Sequence, residues 1–167
     1  MRRRVRAKQP NSSMCLVCGL ENRAGLHAFF YELDNDELLA VFRPRPEHQG
    51  YPGRLHGGLA ATILDETIGR AIMIREKEPC WGVSVELKTR YRKPIPLDEK
   101  VCVLGRVTRN GRLFAGTGEI LLADGSVAVR AEGKYLKMPL EKISDLHLMD
   151  SWKVVPSPDD PETVDLL

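Results

Sequence analysis

The chain has 167 residues, 43% of them hydrophobic, enough for one domain with its own core and too few for two. Lys and Arg number 25 against 23 Asp and Glu, so net charge gives no reason to expect a nucleic-acid or membrane-surface partner. No apolar run approaches the roughly 18 to 20 residues of a membrane span, and no apolar core of a secretory signal follows the first residues; a soluble, cytoplasmic protein is expected.

In chain order, residues 1–13 begin MRRRVRAK, five basic side chains without an acidic one, which predicts a solvated, unordered arm. Residues 14–140 are expected to form the domain. Cys15 and Cys18 have the spacing of half a zinc knuckle, but no second CxxC follows and His27, His48, His56 and His147 form no HxxxH pair. No metal is therefore expected, and with Cys80 and Cys102 the pair reads as reduced thiols of a cytosolic protein. Leu26 to Leu33 and Leu38 to Phe42, separated by the turn cluster Asp34-Asn35-Asp36, predict a hairpin. Arg43 to Gly53, with its prolines and glycines, must be loop.

From Gly57 to about Arg75 the apolar residues Ala60, Ala61, Leu64, Ile68, Ala71 and Ile72 recur at three- and four-residue spacings, which predicts one long, largely buried helix. Pro79 ends it. Four strand-like runs follow, Val83–Tyr91, Val101–Thr108, Leu113–Leu122 and Val127–Met138, with turns at Asn110-Gly111 and Asp124-Gly125. Residues 141–167 read as an extension ending in the acidic, proline-rich PSPDDPETVDLL. Such an order is best satisfied by an α+β arrangement, an antiparallel sheet curled around the helix. Its exposed edges favour pairing with a second copy.

The start of the predicted helix, His56-Gly57-Gly58, has unpaired backbone N–H groups and the positive end of the helix dipole. With no Cβ there, Gly57 and Gly58 leave room for a carbonyl oxygen, so their amides can form an oxyanion hole; a tight turn is the plainer explanation. Along the helix stand two carboxylates. At about 100° per residue Asp65 falls on the border of the apolar stripe, whereas Glu66 points away from it and stands four residues before Arg70, as in a surface ion pair. Asp65 alone lacks a structural reason to be there, and a half-buried aspartate in mid-helix is costly. Eight residues of helix separate Gly57 from Asp65, a rise of about 12 Å, too far for both to act on one carbonyl carbon. Two antiparallel copies would solve this by bringing Gly57 of one chain to Asp65 of the other, twice, by two-fold symmetry.

HGG, an aspartate nine residues after its histidine, the long helix, the run GVSVELKTRYRKP and the lead-in CLVCGLENRAGL together resemble the hot-dog-fold acyl-CoA thioesterases of the 4-hydroxybenzoyl-CoA and phenylacetic-acid-degradation type, over roughly Cys15 to Met138. The resemblance implies a hot-dog fold and hydrolysis of an acyl-CoA thioester without a cofactor, by a homodimer or a dimer of dimers (a homotetramer). It implies Asp65 as general base or nucleophile, Gly57 as the oxyanion donor with His56 and Gly58 shaping the turn, and Ser84 as a hydroxyl that positions the attacking water. Where relatives often carry an asparagine that contacts substrate or water, this chain has Gly50, so either Gln49 beside it substitutes or that contact is absent. Arg90, Arg92, Lys93, Arg109 and Arg112 are expected contacts for the phosphates of CoA.

Two other readings remain. An enoyl-CoA hydratase needs an Asp and a His close together, and only Asp145-Leu-His147 offers that. A non-catalytic acyl-CoA binding or sensing protein has no use for Asp65.

Overall fold

The computed structural model describes residues 2–76, 80–143 and 152–166; Asp145 and His147 lie outside them. The apolar runs become strands, β2 (Phe29–Leu33) and β3 (Leu38–Phe42) ahead of the helix α1 (Gly57–Arg70), then β4 (Cys80–Tyr91), β5 (Val101–Arg109), β6 (Leu113–Leu121) and β7 (Val127–Pro139) after it. Two further strands, β1 (Arg2–Lys8) and β8 (Thr163–Asp165), come from the chain ends. All pair antiparallel in one eight-stranded sheet, ordered β4-β7-β6-β5-β3-β2-β1-β8. This is the hot-dog arrangement, one long helix against a large antiparallel sheet.

The helix is held by its stripe. Ile63, Leu64, Ile68 and, just past its end, Ile72 are fully buried, at about 2 kcal/mol apiece for removal from water. Glycines on the sheet let α1 lie unusually close. A Cβ at Gly116 would come within 2.5 Å of Ile68 Cγ2, and one at Gly105 within 2.8 Å of the Thr67 carbonyl. The α-helix ends at Arg70 and tightens into a 3₁₀ turn over Ala71–Ile74, so the long predicted helix is present with its last turn overwound. None of the helices among the described residues is long and apolar enough to cross a membrane.

The expectation of an unordered arm at residues 1–13 is overturned. Arg2–Lys8 pairs with β2 on one side and with β8 on the other, and the basic end and acidic tail neutralise each other. Lys8 Nζ pairs with Asp160 and sits 4.1 Å from the Phe29 ring centre, while Arg2 donates to Thr163 Oγ1 at 3.0 Å. Arg6 pairs with Asp36 at 2.9 Å. Val5, Val164 and Leu166 cover a second apolar cluster around Tyr31, Leu33, Leu39 and Leu104. Each segment alone is too polar to fold, but together they cap a sheet face.

Candidate active site

Asp65 lies in the middle of α1, half-buried at the border of its apolar stripe. Across from it Ser84, near the start of β4, donates its Oγ–H to the carboxylate, 2.8 Å from each oxygen. The Tyr135 hydroxyl anchors the same turn of helix by donating to the Asp65 carbonyl at 3.2 Å. Burial and the Asp65 charge push the Tyr135 phenol well above its ordinary value, so it remains a donor. Asp65 and Ser84 open onto a cavity of about 330 Å³ whose walls include Cys15, Glu66, Arg70, Trp81, Gly82 and Trp152. Trp81 and Trp152 meet with ring centres 4.9 Å apart, making one side aromatic.

Glu66 is not the surface residue that helix angle alone predicts. Its partner is indeed Arg70, at 2.8 Å. Yet Arg70 is 6% exposed, packed 4.2 Å from the Phe30 ring and 4.4 Å from that of Trp152, and bonded to the Pro10 carbonyl. The N-terminal loop and Trp152 cover the helix face that would otherwise meet water, so Glu66 shares the cavity with Asp65.

At the start of α1, His56 is the N-cap and its Nδ1 accepts the Gly58 N–H at 2.9 Å, which fixes the ring proton on Nε2. The His56 carbonyl takes the N–H groups of Leu59 and Ala60. The Gly57 N–H has no partner among the described residues, while the Gly57 carbonyl accepts the Tyr91 hydroxyl at 2.9 Å. The two glycines are thereby distinguished, Gly58 spent on the cap and Gly57 left with a donor. Gly57 borders a second cavity of about 330 Å³, lined among others by Tyr51, Arg54, Tyr91, Arg92 and Lys93. Within one chain the amide and the carboxylate therefore face different cavities, as the helix rise of about 12 Å requires.

The remaining sequence-predicted residues divide. Arg92 and Lys93 lie at the Gly57 cavity, and Arg54, which the loop-rich sequence around it concealed, joins them. Arg90 is exposed on β4, in register with Arg130. Arg109 and Arg112 flank the β5–β6 turn, where the Arg112 carbonyl accepts Lys137 N–H at 2.8 Å, whereas Arg92 bonds to Ala128. The two basic groups thus sit at opposite ends of β4, about 25 Å apart. Gln49 is exposed, its Oε1 accepting the Gly53 N–H at 3.3 Å, and it lines neither cavity. A Cβ at Gly50 would stand 3.1 Å from both Cα and Cδ2 of His56, so a larger residue there would press on the N-cap histidine. Cys15, Trp81 and Trp152 are cavity residues that no spacing in the sequence announced.

Residues 52–116, the helix and the strands around Ser84 among them, match the profile of the thioesterase superfamily. Human acyl-coenzyme A thioesterase 13 is 29% identical over 101 residues, 60% of this chain and 71% of the relative. Bovine acyl-coenzyme A thioesterase THEM4 is 28% identical over 146 residues, 84% of this chain, which spans 58% of that longer protein. Among solved structures, a thioesterase superfamily protein superposes with a TM-score of 0.67 at 32% identity, over 73% of this chain and 59% of its own. A Streptococcus pneumoniae hypothetical thioesterase with coenzyme A shares the fold, with a TM-score of 0.57 at 19% identity over 62% of this chain and 82% of its own.

Proposed function

From a chain that belongs to the hot-dog acyl-CoA thioesterases, and is a thioesterase, we propose that it hydrolyses an acyl-CoA thioester at a site made by two copies. Asp65 and Ser84 come from one subunit and the Gly57 amide from the other. The observation that carries this reading is the Ser84 hydroxyl bonded to both oxygens of a mid-helix aspartate, which fixes a carboxylate that packing alone would exclude. Asp65 takes a proton from water held beside Ser84, whose oxygen attacks the carbonyl carbon, or Asp65 attacks that carbon itself to give an anhydride that water then hydrolyses. The negative charge that develops on the carbonyl oxygen falls on the Gly57 N–H, backed by the helix dipole, and the CoA thiolate leaves.

The sheet edge supports the dimer. Among the described residues β4 has a neighbour on one side only, runs for twelve residues and exposes Val83 and Val85, so its other edge is a long template for pairing. Antiparallel pairing of two such edges, with Ser84 opposite Tyr91 of the partner subunit, sets the two-fold beside Leu87 and Lys88. It brings each Asp65 towards the partner's Gly57. It also carries the Arg109 and Arg112 turn of one chain to the same end of the joined sheet as the partner's Arg92 and Lys93. That gathers the basic residues where the phosphates of CoA would lie. A dimer of dimers is compatible with this interface and adds nothing to the site.

Release of free thiol from aromatic, short-chain and long-chain acyl-CoAs tests the reading, with Asp65→Ala and Glu66→Ala as controls. Turnover by the wild type and its loss in Asp65→Ala are expected. Unchanged activity in that variant, or loss confined to Glu66→Ala, refutes the assignment. Binding of acyl-CoA without turnover of any member would instead favour the sensing alternative.

A further inference from the structure

Cys15 and Cys18 stay outside the hydrolytic reading, yet their surroundings are far from ordinary packing. Their two sulfurs and a carboxylate oxygen of Glu66 lie within 4.8 Å of one another. Cys15 is half-buried and forms part of the cavity wall beside Asp65; Cys18 is fully buried behind it. The turn that joins them aims two backbone N–H groups at the Cys15 sulfur, from Val17 at 3.2 Å and from Cys18 at 3.4 Å. Arg70 donates to the Cys18 sulfur at 3.0 Å, and the Cys15 thiol donates to Glu66 at 3.4 Å. Ser12 Oγ stands 3.6 Å from the Cys18 sulfur.

A metal does not suit this cluster. The position next to both Cys18 and Glu66 already holds the Arg70 guanidinium, fixed by two aromatic rings and the Pro10 carbonyl. A cation brought there would meet a charge of its own sign. What the arrangement does suit is thiol chemistry. The Cys15 hydrogen bond, outweighing burial and reinforced by the Arg70 charge, brings Cys18 down to about 7. The second proton of the pair is correspondingly hard to remove, since Cys15 is raised by its bond to Cys18 and by burial. One thiolate per pair at neutral pH, shared between two sulfurs, is the state from which a dithiol reacts.

We propose that Cys15 and Cys18 are a redox-active dithiol in the wall of the substrate cavity, oxidised to an intramolecular disulfide by a small-molecule disulfide that enters through that cavity. The one proton of the pair shifts from Cys15 to Cys18, and the thiolate so formed on Cys15, the accessible member, attacks the incoming disulfide. A mixed disulfide forms at Cys15, and one thiolate of the oxidant leaves, taking the proton from Cys18. The Cys18 thiolate beneath then attacks the Cys15 sulfur, closing the Cys15–Cys18 bond and expelling the second thiolate. Two cysteine sulfurs are oxidised and one disulfide is reduced; one small thiol departs with the proton of the pair and the other as a thiolate that takes its proton from water. Closing the bond takes the Cys15 thiol away from Glu66 and the anionic sulfur away from Arg70, which makes the cavity wall more polar. The coupling of this event to turnover rests on the hydrolase reading; the redox couple itself does not.

The test uses the full chain in buffers of reduced and oxidised glutathione, with thiols trapped by alkylation and located by mass spectrometry. Joint loss of the Cys15 and Cys18 thiols in one step is expected, with Cys80 and Cys102 still alkylated. Cys18→Ser should halt at a glutathione adduct on Cys15, and Cys15→Ser should stay reduced. An ultraviolet titration should show a thiolate forming near pH 7 that Cys18→Ser lacks. Four free thiols in the most oxidising buffer, an unresolved adduct in the wild type, or one equivalent of zinc held by the purified protein would each overturn the proposal. Oxidation should also raise KM for an active acyl-CoA by about fivefold, the effect of one hydrogen bond. A disulfide that forms and leaves KM unchanged removes the link to the cavity, and absence of all turnover refutes the hydrolase reading while leaving the thiol result intact.

Discussion

Gly57→Pro separates the helix from its donor. Gly57 is the first residue of α1 and follows an N-cap, His56, in extended conformation at ψ 132°. Proline is favoured at that position, its fixed φ fits the helix, and an extended residue before it suffers no clash. The space also permits it, since a Cβ at Gly57 would lie 3.5 Å from Tyr91, an ordinary contact. What the substitution removes is the N–H that lacks a partner among the described residues. Loss of one oxyanion donor lowers kcat by about a hundred- to a thousandfold, with the melting temperature little altered. Mixing this variant with Asp65→Ala after unfolding and refolding then gives a numerical expectation. Half of the randomly paired dimers are hybrids. Each hybrid carries one intact site, the Gly57 amide of the Asp65→Ala chain facing the Asp65 of the other, and one doubly damaged site. The mixture should therefore recover about a quarter of wild-type turnover per chain. Native mass spectrometry verifies the hybrids and thiol release measures the activity. Verified hybrids without recovery, or full activity in Gly57→Pro alone, would refute the shared site.

Asp65→Asn should lower kcat by about a hundred- to ten-thousandfold, and Ser84→Ala by about tenfold with a smaller change in KM, as steady-state kinetics would show; equal effects on KM alone would make both residues mere binding contacts. Gly82→Ala should cost about 1–3 kcal/mol, because a Cβ there would stand 2.5 Å from the ring of Phe114, a fully buried residue stacked on Tyr135. Calorimetry should find a melting temperature lower by about 3 to 10 °C. His48, 2% exposed, accepts the Arg45 N–H at 3.0 Å, and burial together with the Arg45 charge holds its pKa below the ordinary histidine value. The unfolded chain then takes up the proton first, so the His48 contribution is complete above the unfolded histidine pKa of about 6.5 and declines as pH falls from there through the folded value. Denaturant unfolding at stepwise pH should show that decline and its weakening in His48→Gln.

Much of the fold was legible because its central strands and its helix each bury a face that leaves a period in the sequence. β2 to β7 follow alternation and turn chemistry, and α1 follows its three- and four-residue spacings. β1 and β8 left no such period. Their reason to fold is a pairing across nearly the whole chain, in which Lys8 meets Asp160 and Arg2 meets Thr163. Each segment read alone is a run of like charge, and solvation is then the natural expectation. Complementarity between distant segments is a property of the pair and does not appear in either.

The same limit explains the two carboxylates of α1. Asp65 stands out in the sequence because its position on the helix border is a local fact, whereas Ser84 is singled out only through resemblance. Helix angle alone misplaces Glu66 because the face opposite the apolar stripe does not meet water. That face is covered by the segment from Pro10 to Cys18 and by Trp152, which together bury the Arg70 guanidinium between two rings. An isolated Glu–Arg pair four residues apart is worth little on a surface. With its arginine enclosed it becomes the fixed charge around which both a cavity wall and a dithiol are built. The helix thus has three working faces: one packs on the sheet, one presents Asp65, and one carries Glu66 and Arg70 to the N-terminal loop. Helical angle distinguishes only buried from exposed, so it separates the first face from the others and is blind to the difference between a charge that meets solvent and one that meets the far end of the chain.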